Sequence, residues 1–219
     1  MRVPGQPVLK TGRLLLRPLE PGDAAEVQRL AGHAAVASTT RSIPHPYPDG
    51  AAEAFIALTR ANAQQGLGYT YAVVDRAGGQ LTGCVGLRLD PPDRRAELGY
   101  WIGVPYWGRG VATEAATAIL RFAFAPEHLD LNRVFATALT RNPASSRVME
   151  KIGLLREGTL RQHVVKDGVP EDLVFYASGG YVDHVVIHIG AGKVIQVETT
   201  GTDVSITPLW PGAYGAGRP

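Results

Sequence analysis

ELGYWIGVPYWGRGVATEA, residues 97–115, passes from strand to glycine loop to helix in one short run. The apolar alternation stops at Pro105, which a central strand does not tolerate, and the helical spacing that follows continues through GVATEAATAILRFAFA. Between them Gly108 and Gly110 carry no Cβ, so the amides of residues 108 to 112 can turn toward one point at the positive end of the helix dipole. That makes an anion cradle, although the same two glycines serve equally for a tight turn with no ligand. The loop lacks the lysine and serine or threonine of the P-loop and the three glycines of the dinucleotide fingerprint.

Outward from this stretch the pattern is regular. Upstream, RLLLRPL (13–19) reads as a strand, and Asp23 caps a helix with Val27, Leu30 and Ala31 on one face. The proline-rich loop SIPHPYPDG (42–50) leads into AAEAFIALTRANAQQ, a helix with Phe55, Leu58 and Thr59 at helical spacing. YTYAVVD, GQLTGCVGLRLD and AELGYWIGV are strand-like runs separated by turns, an antiparallel meander. Downstream, RVFATAL is a strand, and NPASSRVMEKIG a helix with Asn142 at its N-cap, Pro143 at its first position and Gly153 at its stop. LLREGTLRQHVV and EDLVFYAS flank KDGVP, whose Asp167 and Gly168 signal a tight hairpin. The sum is an α/β domain of the α+β kind, with one central, mostly antiparallel sheet.

The 219 residues, 45% hydrophobic and 19% charged, suit one ordinary domain with an appendage. Basic residues exceed acidic ones by only two and are scattered, so the footprint of a nucleic-acid binder is missing. No apolar run approaches the roughly 20 residues that span a bilayer, and MRVPGQPVLKTGR is not a signal peptide; a cytoplasmic chain without membrane or nucleic-acid partners is expected. The single cysteine, Cys84, stands in the apolar stretch LTGCVGL and reads as a buried structural thiol.

Four motifs in order, TGRLLLRPLEPGDA, PYPDGAAEAFI, GYWIGVPYWGRGVATEA and NPASSRVMEKIGLLREGTLR, resemble the GNAT superfamily of N-acetyltransferases over residues 7 to 178. The family's acetyl-CoA loop has glutamine or arginine, two residues, glycine, one residue, then glycine or alanine; here these fall on Trp107, Gly110 and Ala112. Trp107 departs from the general pattern and is the form of the branch that acts on the N-termini of ribosomal proteins. The resemblance implies a central mixed, mostly antiparallel sheet flanked by helices. It implies acetyl-CoA as co-substrate, held by Trp107, Gly108, Arg109, Gly110, Val111, Ala112 and Thr113, by backbone near Ile102 and Val104, and by Asn142. Arg109 and its neighbour Glu114 can equally face water. No metal is implied. The acceptor is a small-molecule amine or a protein N-terminus, and the chain is a monomer or a homodimer.

Acetyl transfer from a thioester needs a neutral amine, a polarised carbonyl and a proton for the departing thiolate. An α-amine near pKa 7.8 is about one-seventh neutral at pH 7, a lysine near 10.4 only about once in a few thousand. Glu97 is the candidate proton acceptor, through water; a solvated strand carboxylate with a polar hairpin neighbour is the plainer reading. Ser145 matches a serine of this branch near the sulfur; many members carry a tyrosine in this helix, but VMEKIG has Met149 in that neighbourhood, which leaves Ser145 or water as the proton donor, and a first-turn serine making local hydrogen bonds is the plainer reading. Asn142 can be cap and cofactor ligand together. His45 and Tyr47 sit in the loop that borders the acceptor cleft in this fold. A non-catalytic acyl-CoA-binding module is the alternative from another class.

After residue 178 the chain alternates apolar and polar residues with turns at GAG and TTGTD, two or three strands or a β-hairpin appendage. His184 and His188, about 13 Å apart on a strand, are too far to share zinc. EDLVFYASGGYVDHVVIHIGAGKVIQV resembles the second half of NlpC-type, papain-like cell-wall endopeptidases, with His184 at the catalytic histidine. The upstream cysteine such a histidine activates is missing, so a peptidase remnant without activity is expected for 179–219. DLVFYAS fits both patterns.

Overall fold

The computed structural model describes residues 5–178 and three further strands between 186 and 208. Two compact units result, Met1–Ser178 and Gly179–Pro219. In the first, β1 (Leu9–Lys10), β2 (Leu14–Pro18), β3 (Gly68–Asp75), β4 (Leu81–Asp90), β5 (Arg95–Ile102), β6 (Arg133–Leu139), β7 (Leu154–Lys166) and β8 (Val169–Ser178) form one sheet in the order β1-β2-β3-β4-β5-β6-β8-β7. Neighbours are antiparallel except β5 and β6, which are parallel and joined through α4 (Val111–Phe124).

Strand alternation sorts the core into two layers. Tyr69, Tyr71, Val73, Leu98 and Ile102 face α4 and α5 (Pro143–Lys151), while Ala72, Val74, Cys84 and Trp101 face α1 (Ala24–Ala31) and α3 (Ala51–Gln65). Phe122 of α4 sits edge-on to Tyr69, with ring centroids 5.6 Å apart. The predicted meander is β3-β4-β5, and the Asp167-Gly168 hairpin forms with both residues at positive φ, 52° and 79°.

Three local expectations change. The buried stripe of α3 is Ala52, Ile56 and Thr59, spaced i, i+4 and i+7, leaving Leu58 59% exposed where it lines the cleft described below. Asp23 starts α1 without capping it through its side chain. Its carboxylate instead accepts the Glu20 amide and pairs with Arg17 at 2.7 Å. A short helix, α2 (Ala34–Thr39), precedes the proline loop, with His33 Nδ1 accepting the Ala35 amide.

β8 answers where EDLVFYAS belongs, because it pairs with β6 on one side and β7 on the other. In the second unit β9 (Val186–Gly190), β10 (Lys193–Gln196) and β11 (Ser205–Pro208) form an antiparallel sheet in the order β11-β10-β9. His184 lies outside the described residues. Among the described residues no helix is long and apolar enough to cross a membrane.

Candidate active site

β5 and β6 pair only at Arg95–Glu97 with Arg133–Phe135, and beyond that point β6 keeps only β8, on its other edge, as a partner. The Gly103 amide donates to Thr82 O of the strand β4 side, so alternation aims the amides of Leu98, Tyr100 and Ile102 at the side where β6 has left. A cleft of about 810 Å³ opens there, bounded by β5, the residue 106–113 loop, α5 and the segment 39–43. Trp107 folds its indole back to donate from Nε1 to Ile102 O at 2.6 Å, fixing the turn between strand and loop.

Gly108 and Gly110 both take left-handed φ, 73° and 75°, and Gly110 is the N-cap of α4. Gly108 lines the cleft, and a Cβ there would meet nothing within 4 Å, so its positive φ and not crowding is what calls for glycine. The helix leaves its first amides without intrahelical partners. Val111 packs on the core and, with Ala112 and Thr113, lines the cleft. Arg109 is exposed, but its carbonyl accepts from Arg13 Nη1 at 3.0 Å. Arg13 also donates through Nε to Glu114 at 2.7 Å, and Thr11 donates to the same carboxylate at 2.6 Å. Burial raises the Glu114 pKa, and the Thr11 and Arg13 donors outweigh it, holding the group below its ordinary value. Glu114 is thus a clamp between α4 and the N-terminal segment.

The two proposed catalytic groups sit on opposite faces of the sheet. Glu97 shares the α1–α3 face with Trp101; its side chain is 12% exposed and pairs with Arg88 of β4 and with Arg41 Nη1 at 3.3 Å. Ser145 lies on the α4–α5 face, where its Oγ is 2.8 Å from Tyr100 Oη. Burial pushes the Tyr100 phenol up to about 12, against the lowering effect of its bond to Ser145. Both Glu97 and Ser145 line the cleft.

The family model "Acetyltransferase (GNAT) domain" matches residues 13–155. YoaA of Bacillus subtilis strain 168, an uncharacterized N-acetyltransferase, is 32% identical over 181 residues, 78% of this chain and 96% of YoaA. The chain belongs to the GNAT acetyltransferases. YdaF of the same organism is 41% identical over 100 residues, 45% of this chain; of YdaF's length the acetyltransferase spans about half, 54%. RimL, the ribosomal L7/L12 alpha-N-protein acetyltransferase in complex with coenzyme A, has the same fold with a TM-score of 0.71 at 18% identity, covering 78% of this chain and 97% of its own.

The remaining expected residues of this acetyltransferase divide. Asn142 lines the cleft and is the N-cap of α5, its Oδ1 accepting the Ser145 amide at 3.1 Å; its Nδ2 donates to Thr39 O at 3.0 Å, tying α5 to the segment after α2. Ile102 lines the cleft and Val104 does not. His45 and Tyr47 stay outside its lining. His45 Nδ1 is 3.1 Å from Gly32 O and Tyr47 packs on the α1–α3 layer, so the loop turns these two toward α1 and gives the cleft Arg41, Ser42 and Ile43. Sequence reasoning missed Tyr100, Arg88 and Arg41. Arg88 was reachable, since counting back from the DPPDRR turn pairs it with Glu97. Cys84 is buried, and burial raises its thiol pKa, as suits a structural cysteine. Among the described residues no three His, Cys, Asp or Glu groups gather to hold a metal.

Proposed function

We propose that the chain moves the acetyl group of acetyl-CoA to a primary amine, in first place a protein N-terminal α-amine, by direct attack in a ternary complex. The observation that carries this is the parted sheet: one cleft reaches both faces, with Glu97 on one and the Ser145–Tyr100 pair on the other. The glycine loop and the first amides of α4 would hold the pyrophosphate, and the unpaired amides of β5 the pantetheine arm and thioester carbonyl. The α-N-acetyltransferase activity for which RimL is named and its bound coenzyme A support the same acceptor class and co-substrate here.

Acetyl-CoA supplies an activated acyl carbon; the chain's residues do the rest. Glu97 orients the amine and receives its proton through water. An α-amine demands little of that base, being about one-seventh neutral at pH 7. Ser145 donates toward the departing sulfur, and Tyr100, a phenol throughout the neutral range, replenishes the hydroxyl. Both proton-handling groups open into the cleft, which favours turnover over passive CoA binding. Residues 1–178 constitute the acetyltransferase domain. Residues 179–219 are a β-rich appendage resembling an incomplete papain-like NlpC-type domain, without chemistry of its own. An acceptor on ribosomal proteins makes the cytoplasm the working compartment.

The test is CoA release with acetyl-CoA and a panel of α-amino peptides, N-blocked lysine peptides, polyamines and small amines. Release with free α-amines well above that with blocked peptides is the expected result. No release anywhere on the panel overturns the proposal.

A further inference from the structure

The acceptor face of the cleft carries more positive charge than it can pair. Among the described residues lining the cleft, Glu97 alone is acidic; Arg41 and Arg88 are the basic residues beside it, while Arg147 and Lys151 belong to α5 on the Ser145 side. Arg41 and Arg88 both close on that one carboxylate, Arg41 Nη1 at 3.3 Å from Oε1 and Arg88 Nε at 3.2 Å from Oε2. One carboxylate neutralises one guanidinium. Arg41 is 45% and Arg88 75% exposed, so each keeps donors of its five-N–H fork for a ligand. Two cations beside the docking amine also disfavour its ammonium form, which helps the attack, but they demand a negative charge from elsewhere on the acceptor.

We infer that the preferred acceptor is an acidic one, an α-amine with a carboxylate one or two residues away, and that this carboxylate takes Arg88 from Glu97. This rests on the acetyl-transfer reading above. Arg88 is the partner that moves, because a pair with so exposed a side is held weakly. Once it is drawn off, Oε2 of Glu97 is free to accept. The N–C bond then forms as the C–S bond breaks; the amine's proton passes by way of water to Glu97, and the sulfur takes its proton from Ser145. An acidic acceptor thus both binds the arginines and unmasks the base, so it improves kcat as well as KM.

Three peptides that differ only at the second position, Glu, Gln or Lys, test this. Binding is measured by calorimetry to the CoA-loaded protein and turnover by CoA release from acetyl-CoA. Expected is binding in the order Glu, Gln, Lys, with Glu ahead of Gln by about tenfold, the worth of one charge-assisted hydrogen bond. Arg88→Gln and, separately, Arg41→Gln shrink that ratio, the former to within about twofold, and Arg88→Glu turns the preference toward Lys. Equal binding of Glu and Gln peptides by the wild type, or a ratio that survives both glutamine variants, overturns the acidic-acceptor site. A Glu peptide that lowers KM and leaves kcat unchanged overturns the unmasking step. Preferential binding of the Glu peptide with no CoA release from any peptide overturns acetyl transfer and unmasking, and upholds the site.

Discussion

At the residue scale the decisive contact is Tyr100 Oη to Ser145 Oγ, 2.8 Å across 45 positions of sequence. Ser145→Ala should lower kcat about a hundredfold and Tyr100→Phe about tenfold, with the double variant little worse than Ser145→Ala, because the two act as one relay. Steady-state rates with a single peptide check this. Tyr100 also sets a pH limit. Its phenol is raised from 10.0 to about 12; below pH 10 both folded and unfolded chains hold the proton and nothing is lost. Between pH 10 and 12 the unfolded chain ionises first, so stability falls as pH rises. Melting scans should show that fall, smaller in Tyr100→Phe. Ser145 was legible only through the resemblance of NPASSRVMEKIG to the family branch, since its place in the first helical turn speaks equally for local hydrogen bonding. Tyr100 was not, because strand alternation gives its face but not which helix lies above it.

At the element scale, the strand–loop–helix unit depends on two left-handed glycines. Gly110→Ala forces a side chain into φ 75°, at about 1–2 kcal/mol. It should lower the melting midpoint by a few degrees and raise the Kd for CoA roughly tenfold, read by calorimetry on the folded variant. Sequence reasoning found this unit, the meander and the Asp167-Gly168 hairpin because each rests on local chemistry: a positive φ, a period of two, a proline that stops a strand. It failed on α3, where Leu58 has the right spacing but Ala52 and Ile56 face the sheet. Helical spacing fits either stripe, and only the packed sheet shows which one turns inward while Leu58 is left beside the cleft. Nor does sequence reasoning foresee that His45 and Tyr47 are held at the C-terminal end of α1, by Gly32 and Gln28, outside the cleft lining.

At the scale of the whole molecule, β8 ends at Ser178 with β6 and β7 as its partners, and among the described residues both apolar layers draw on positions before it. A chain ending at Ser178 should therefore stay soluble, melt cooperatively and keep both CoA binding and acetyl transfer. Loss of folding or of turnover on that truncation would show that the appendage completes the enzyme. The overlap of DLVFYAS with two family patterns could be read from sequence, whereas which sheet owned it depended on hydrogen-bond partners.

The parting of β5 from β6 has a further consequence. A sheet parted there is a partition with a window, and under the proposed reaction the two reactants would stand in separate rooms. A bulky acceptor need only extend a loose end to the opening, while the nucleotide carrier comes and goes by its own door. Neither spent product then has to wait for the other to leave.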